Sequence, residues 1–164
     1  MKKISLEKIN EKALYRVVQI EELPHLFYIH TDFDVDYEIS IKQSSALVQS
    51  GCYTLNIRNI WGQKSPGDAK FKQTLIASIE EFFSVYNDVL LYITETEDNK
   101  QAFRDRLFVR WFNTYVHRDQ FYIQSAQGKM DGKMNFMAII SRLDNVRLPQ
   151  AIKEFEDAVA FLFD

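Results

Sequence analysis

The fold class predicted by this sequence of 164 residues is α+β. Three features of its hydrophobic pattern predict it. The opening third alternates apolar and polar side chains at a period of two. From Asp68 the apolar positions recur at the helical period, and the two periods then interleave to the C-terminus. The order read from these changes is ββββαβαββα: a two-layer fold with a mainly antiparallel sheet and three helices packed on one face. It spans 1–164 as a single domain, with 1–13 as a loosely attached N-terminal segment.

Tyr15–Ile20, Leu26–His30, Val35–Ile41 and Cys52–Ile60 are rich in β-branched and aromatic residues and read as strands. Val35, Tyr37, Ile39 and Ile41 alternate with Asp36, Glu38, Ser40 and Lys42, which gives one buried and one solvated face. Thr31–Asp34 is the turn before that strand, because Asp side chains bond local backbone. Asp68 is the predicted N-cap of a helix. Phe71, Leu75, Ile76, Ile79, Phe82, Phe83 and Tyr86 fall within about 140° of its circumference. Val89–Ile93 is continuously apolar and reads as a strand buried on both faces near the sheet centre.

A second helix is expected from about Asn99 to Val116, with Asp98 and Gln101 at capping-box spacing. Phe121–Gln127 and Met134–Ser141 form a hairpin across 128–132. A last helix begins near Pro149, a residue favoured at the first helical position, and its core stripe is Ile152, Phe155, Val159, Leu162 and Phe163. Phe161 lies on its polar side.

Apolar residues at 46% and aromatics at 14% exclude a disordered or low-complexity chain. Twenty basic against 23 acidic residues give a net charge of −3. The charge is spread evenly, so no tail announces a nucleic acid or a membrane as partner. The start of the chain has no apolar segment of secretory type, and runs such as Val89–Ile93 are far too short to span a membrane. Cys52 is the sole cysteine, which leaves no internal disulfide and makes a reducing cytoplasm the expected compartment. Lying in a strand with no basic neighbour in sequence, it reads as a packed thiol.

The 99–116 helix carries the most unusual pattern. Its apolar face holds Phe103, Leu107, Trp111 and Tyr115, yet Arg104 falls between Trp111 and Tyr115. A guanidinium there must snorkel, stack on a ring or find a carboxylate. Glu95, Glu97 and Asp98 offer carboxylates nearby, so Arg104 reads as a strut, with Arg106 and Arg110 on a solvated face. The competing reading is an anion or phosphate site beyond the carboxyl end of Val89–Ile93, if that strand pairs in parallel with Cys52–Ile60. Thr94, Asn99, Lys100, Arg104, Arg106 and Arg110 would then line it at a helix N-terminus. Trp61, in a Gly/Pro loop, is a candidate anchor for a partner protein, and Phe161 is a second.

Other motifs are negative. Asp32-x-Asp34-x-Asp36 opens like a calcium loop, but Tyr37 and Gln43 stand where Gly and Glu are required. His25, His30 and His117 lack metal-ligand spacing, and no metal or cofactor is expected. Gly-x-Ser-x-Gly, Walker and dinucleotide fingerprints do not occur. An RNA-cleaving site could be assembled from Arg106, Arg110, Tyr115 and His117, but there is no broad basic stripe to accompany it.

The run Val89-Leu-Leu-Tyr-Ile-Thr94, followed by Asn99-Lys-Gln-Ala-Phe-Arg-Asp-Arg-Leu-Phe-Val-Arg-Trp-Phe112, resembles a family of small uncharacterised bacterial proteins of unknown function. That family has a Gln-Ala-x-Arg-x-Arg-x-Phe-x-x-Trp-Phe helix after a strand, and the likeness covers most of the chain. This chain departs from it at Asn99-Lys100, where a Gly is expected before Gln-Ala. The resemblance implies a stand-alone domain of a bacterial cytoplasm and no particular chemistry. The expected function is a non-enzymatic protein-interaction or regulatory module. The alternative is an RNA- or phosphate-acting enzyme, or a small-anion binder, using the basic helix at 100–118.

Overall fold

The computed structural model describes residues 3–19, 23, 25–47, 49–63, 67–96, 110 and 112–163, with 94–96 described by their backbone. Seven strands are hydrogen-bonded in the order β1-β2-β3-β4-β5-β7-β6. They are β1 (Val17–Gln19), β2 (Leu26–His30), β3 (Asp36–Ser44), β4 (Cys52–Asn59), β5 (Val89–Thr96), β6 (Phe121–Met130) and β7 (Lys133–Arg142). With the helices α1 (Leu6–Lys12), α2 (Ala69–Val85) and α3 (Leu148–Leu162), they make the expected α+β fold. All seven strands read from the sequence form. The pairing is antiparallel for β1–β2, β2–β3, β5–β7 and β6–β7, and parallel for β4–β5.

The chain divides into two compact units: Met1–Lys42 with Asn56–Tyr86, and Gln43–Leu55 with Asn87–Asp164. In the first unit, the segment read as loosely attached carries α1. Ser5 caps it by accepting from the Lys8 N–H, and Ile9 is fully buried. The Asn10 side chain accepts from the Val17 N–H at 2.8 Å and donates to the Val17 carbonyl at 3.0 Å, tying α1 to β1. A helix this short has too few apolar positions to show a period in sequence. In α2, Asp68 caps as expected, accepting from the Lys70 and Phe71 N–H groups, and the whole stripe from Phe71 to Tyr86 is buried. Phe71 stacks on Tyr37 of β3, with ring centroids 4.2 Å apart.

In the second unit, Cys52 to Leu55 of β4 pair with Val89 to Tyr92 of β5. Val89, Leu90, Leu91 and Tyr92 are all buried, so β5 is covered on both faces as its unbroken apolar run requires. Leu47, Cys52, Val89, Leu91, Met137 and Ile139 form one core cluster with Ala151 and Phe155 of α3. Phe121 stands on the opposite face, in register with Arg142, and there Phe112 meets it edge to face at 5.7 Å. Within this unit, then, helical residues lie on both faces of the sheet. The expectation that the helices share one face is corrected by the need to cover the second face of β5 and β7.

Two further differences are local. The β6–β7 strands run on to Met130 and Lys133, so the 128–132 turn shrinks to two residues. Asp131 (φ 55°) and Gly132 (φ 78°) both take the left-handed conformation that an Asp-Gly hairpin turn favours. Ser40, read as solvated, is buried opposite Leu26. Of the 99–116 helix, Arg110, Phe112 and Asn113 are helical, and the Thr114 N–H bonds the Arg110 carbonyl at 3.1 Å. Asp98, Gln101 and Arg104 lie outside the described residues.

Candidate functional site

In the first unit, polar and aromatic side chains converge on the turn between β2 and β3. Thr31 shapes that turn, its hydroxyl accepting from the Phe33 and Val35 N–H groups, and Asp34 takes φ 58°. Tyr15 is buried below it. Its hydroxyl donates to Asp68 at 2.6 Å and accepts from the Asp32 N–H at 3.2 Å. Burial, then the bond to Asp68, push the Tyr15 phenol up to about 12. Lys70, at the start of α2, reaches across to Asp32 at 2.6 Å.

Beside this lies a second set of bonds. The His30 ring contacts both Asp36 and Asp34. Its hydrogen bond to Asp36 raises the His30 pKa and lowers that of Asp36. The other Asp36 oxygen accepts the indole N–H of Trp61 at 3.0 Å, and the Asp36 backbone carbonyl accepts from the Ile60 N–H at 2.9 Å. Trp61 is 71% exposed and Phe33 51% exposed. The site thus presents an indole whose orientation is set by a carboxylate, itself set by an imidazole. Asp32, Asp34 and Asp36 each hold a partner within the protein, so the arrangement offers aromatic surface in place of an ion-binding ring. Among the described residues, no group of three His, Cys, Asp or Glu side chains is placed to hold a metal.

Of the expected binding residues that are described, Trp61 is the one in this cluster. Thr94 lies in β5 with its backbone opposite Phe136, and Arg110 is an exposed helical residue of the second unit. Asn99, Lys100, Arg104 and Arg106 lie outside the described residues. The basic stretch ends in structural work: Arg118 donates to the Asn113 side chain at 2.8 Å and to the Phe121 carbonyl at 3.1 Å. Cys52 is buried, its thiol pushed up in pKa by that burial, and its S–H faces the Ser44 carbonyl at 3.8 Å. Phe161 is 89% exposed on α3. Sequence reasoning missed Asp36, which accepts the Trp61 indole N–H, and His30, which holds Asp36. The Asp32-x-Asp34-x-Asp36 spacing marked the turn, but nothing local linked it to Trp61.

The profile of a family of unknown function, DUF6169, matches residues 67–157. The chain belongs to the DUF6169 family. The span matched to DUF6169 opens just before the Asp68 cap and closes within α3, so Lys70 and Asp68 fall inside it and Phe33 and Trp61 precede it. Among curated proteins no sequence matches the chain. A solved structure described as a candidate phosphinothricin N-acetyltransferase is similar to it at 14% identity and a TM-score of 0.43, over 77% of this chain and 75% of that one. No helix among the described residues is long and apolar enough to cross a membrane.

Proposed function

We propose that the protein is a non-enzymatic protein-interaction or regulatory module of the bacterial cytoplasm, with Trp61 as its anchor. One observation carries the reading: an indole 71% exposed whose N–H is held at 3.0 Å on Asp36. A tryptophan fixed before binding loses little side-chain freedom on complex formation, and aromatic side chains in pockets carry a large share of interface energy. The test is capture of partners by the tagged full chain from host lysate, with and without nuclease, in parallel with Trp61→Ala. A stoichiometric protein that survives nuclease and is lost with Trp61→Ala is the expected result. Equal capture by both proteins, or recovery of nucleic acid alone, would overturn it.

A second reading is a small-anion or RNA site on the 100–118 helix. It is favoured by the parallel pairing of β4 with β5, because sites gather beyond the carboxyl ends of such strands. Against it stands Arg118, whose guanidinium is already committed.

A further inference from the structure

β6 is the terminal strand of the sheet order, so β7 bonds one of its edges, and among the described residues no strand covers the other. Which backbone groups face outward follows from the hairpin. Asp131 and Gly132 form a two-residue turn, and such a turn is flanked by a pair that exchanges both hydrogen bonds, here Met130 and Lys133. Alternation carries that bonded phase to Gly128–Asn135, Ala126–Met137, Gln124–Ile139 and Tyr122–Ser141. The far end agrees, since the Leu143 N–H bonds the Gln120 carbonyl at 3.0 Å. The N–H and carbonyl groups of Ile123, Ser125, Gln127 and Lys129 therefore point away from β7. Phe121 shares that phase, but its carbonyl accepts from Arg118 at 3.1 Å.

Soluble proteins blunt such an edge with proline, a bulge, several charges or a short strand. β6 has ten residues in unbroken register, no proline and one charged residue, Lys129. We infer that this edge pairs with the same edge of a second copy of the chain, antiparallel, about a two-fold axis at Ala126. In that register Ile123 lies opposite the second copy's Lys129, and Ser125 opposite its Gln127. The free backbone groups of all four residues are consumed and none is left over, so the edge is complementary to itself. The antiparallel sense follows from charge: it sets the two Lys129 side chains at opposite ends of the ladder, each beside an Ile123, where a parallel ladder would stack them. Ser125 and Gln127, at the centre, are exposed and neutral. The inference is independent of Trp61, which lies in the other unit.

The test is the solution mass of the full chain by light scattering over a dilution series, with a dimer expected. Ser125→Pro removes an outward N–H and leaves the β7 ladder intact, because proline is tolerated on an edge strand whose N–H faces solvent. It should give a monomer. Since proline also restricts the backbone, a second pair of variants acts through exposed side chains alone. Ser125→Lys with Gln127→Lys should abolish the dimer by like-charge opposition. Mixing that protein with Ser125→Glu/Gln127→Glu should restore a one-to-one heterodimer. A wild-type monomer at every concentration, or a dimer that persists in the double-lysine protein, would overturn the inference.

Discussion

His25 and His30, at the two ends of β2, respond to pH in opposite directions. His25 is 8% exposed, and its Nε2 has no hydrogen-bond partner among the described residues, so burial lowers its pKa. The folded state then stays neutral where the unfolded chain already binds a proton. Stability is intact above the ordinary histidine pKa near 6.5 and is lost as pH falls through the lowered folded value. His30, held by Asp36, has a raised pKa and is lost in the other sense. Its contribution is complete below pH 6.5 and disappears as pH rises through the folded value. Denaturant unfolding between pH 5 and pH 8 is expected to show His25→Asn flattening the acid-side loss of stability. Asn also suits the φ of 66° at this position. His30→Gln should cost more at pH 6 than at pH 8. Two histidines with the same sign of shift would contradict both assignments. Neither shift was legible in the sequence, because each depends on folding: burial of His25, and Asp36 brought across the turn to His30.

At the scale of the element, α2 shows a helix start that serves two purposes. Asp68 caps α2 and also accepts from the buried Tyr15 hydroxyl. Loss of a cap costs about 1 kcal/mol, and an orphaned buried hydroxyl about 1–3 kcal/mol more. Asp68→Ala should therefore lower the thermal midpoint by on the order of 5–10 °C, given roughly 2–4 °C per kcal/mol at this chain length. In a Tyr15→Phe background the same substitution should cost only the cap share. A calorimetric double-mutant cycle that comes out additive would remove the coupling. The cap itself was readable, since Asp precedes a helical stripe. The hydroxyl was not, because Tyr15 is remote from Asp68 in sequence. The β6–β7 turn differs for another reason: within the expected 128–132 connection, Asp131-Gly132 alone suffices to make the turn.

For the whole molecule, the net charge of −3 bears on partner choice. A protein that neutralises several phosphates loses affinity steeply with salt, in proportion to the contacts made. Binding of a labelled RNA oligonucleotide is expected to be weak at low ionic strength. The Arg106→Ala/Arg110→Ala protein should then show no change in its salt slope. A steep slope that flattens in the double variant would favour the anion-site reading over the anchor at Trp61.

The local hydrophobic pattern, with residue type, determined the seven strands, the helix that starts at Asp68, and the burial of β5 on both sides. These are local properties: the side-chain repeat of two or 3.6 residues selects strand or helix before any distant contact forms. Tertiary structure decided what the repeat cannot encode. It joined Trp61 to Asp36 and His30, placed Phe112 and α3 on opposite faces of the second unit's sheet, and left β6 at the edge. The physical reason is that strand order and side-chain convergence depend on contacts between residues far apart in the chain, which a local pattern specifies only as exposed or buried.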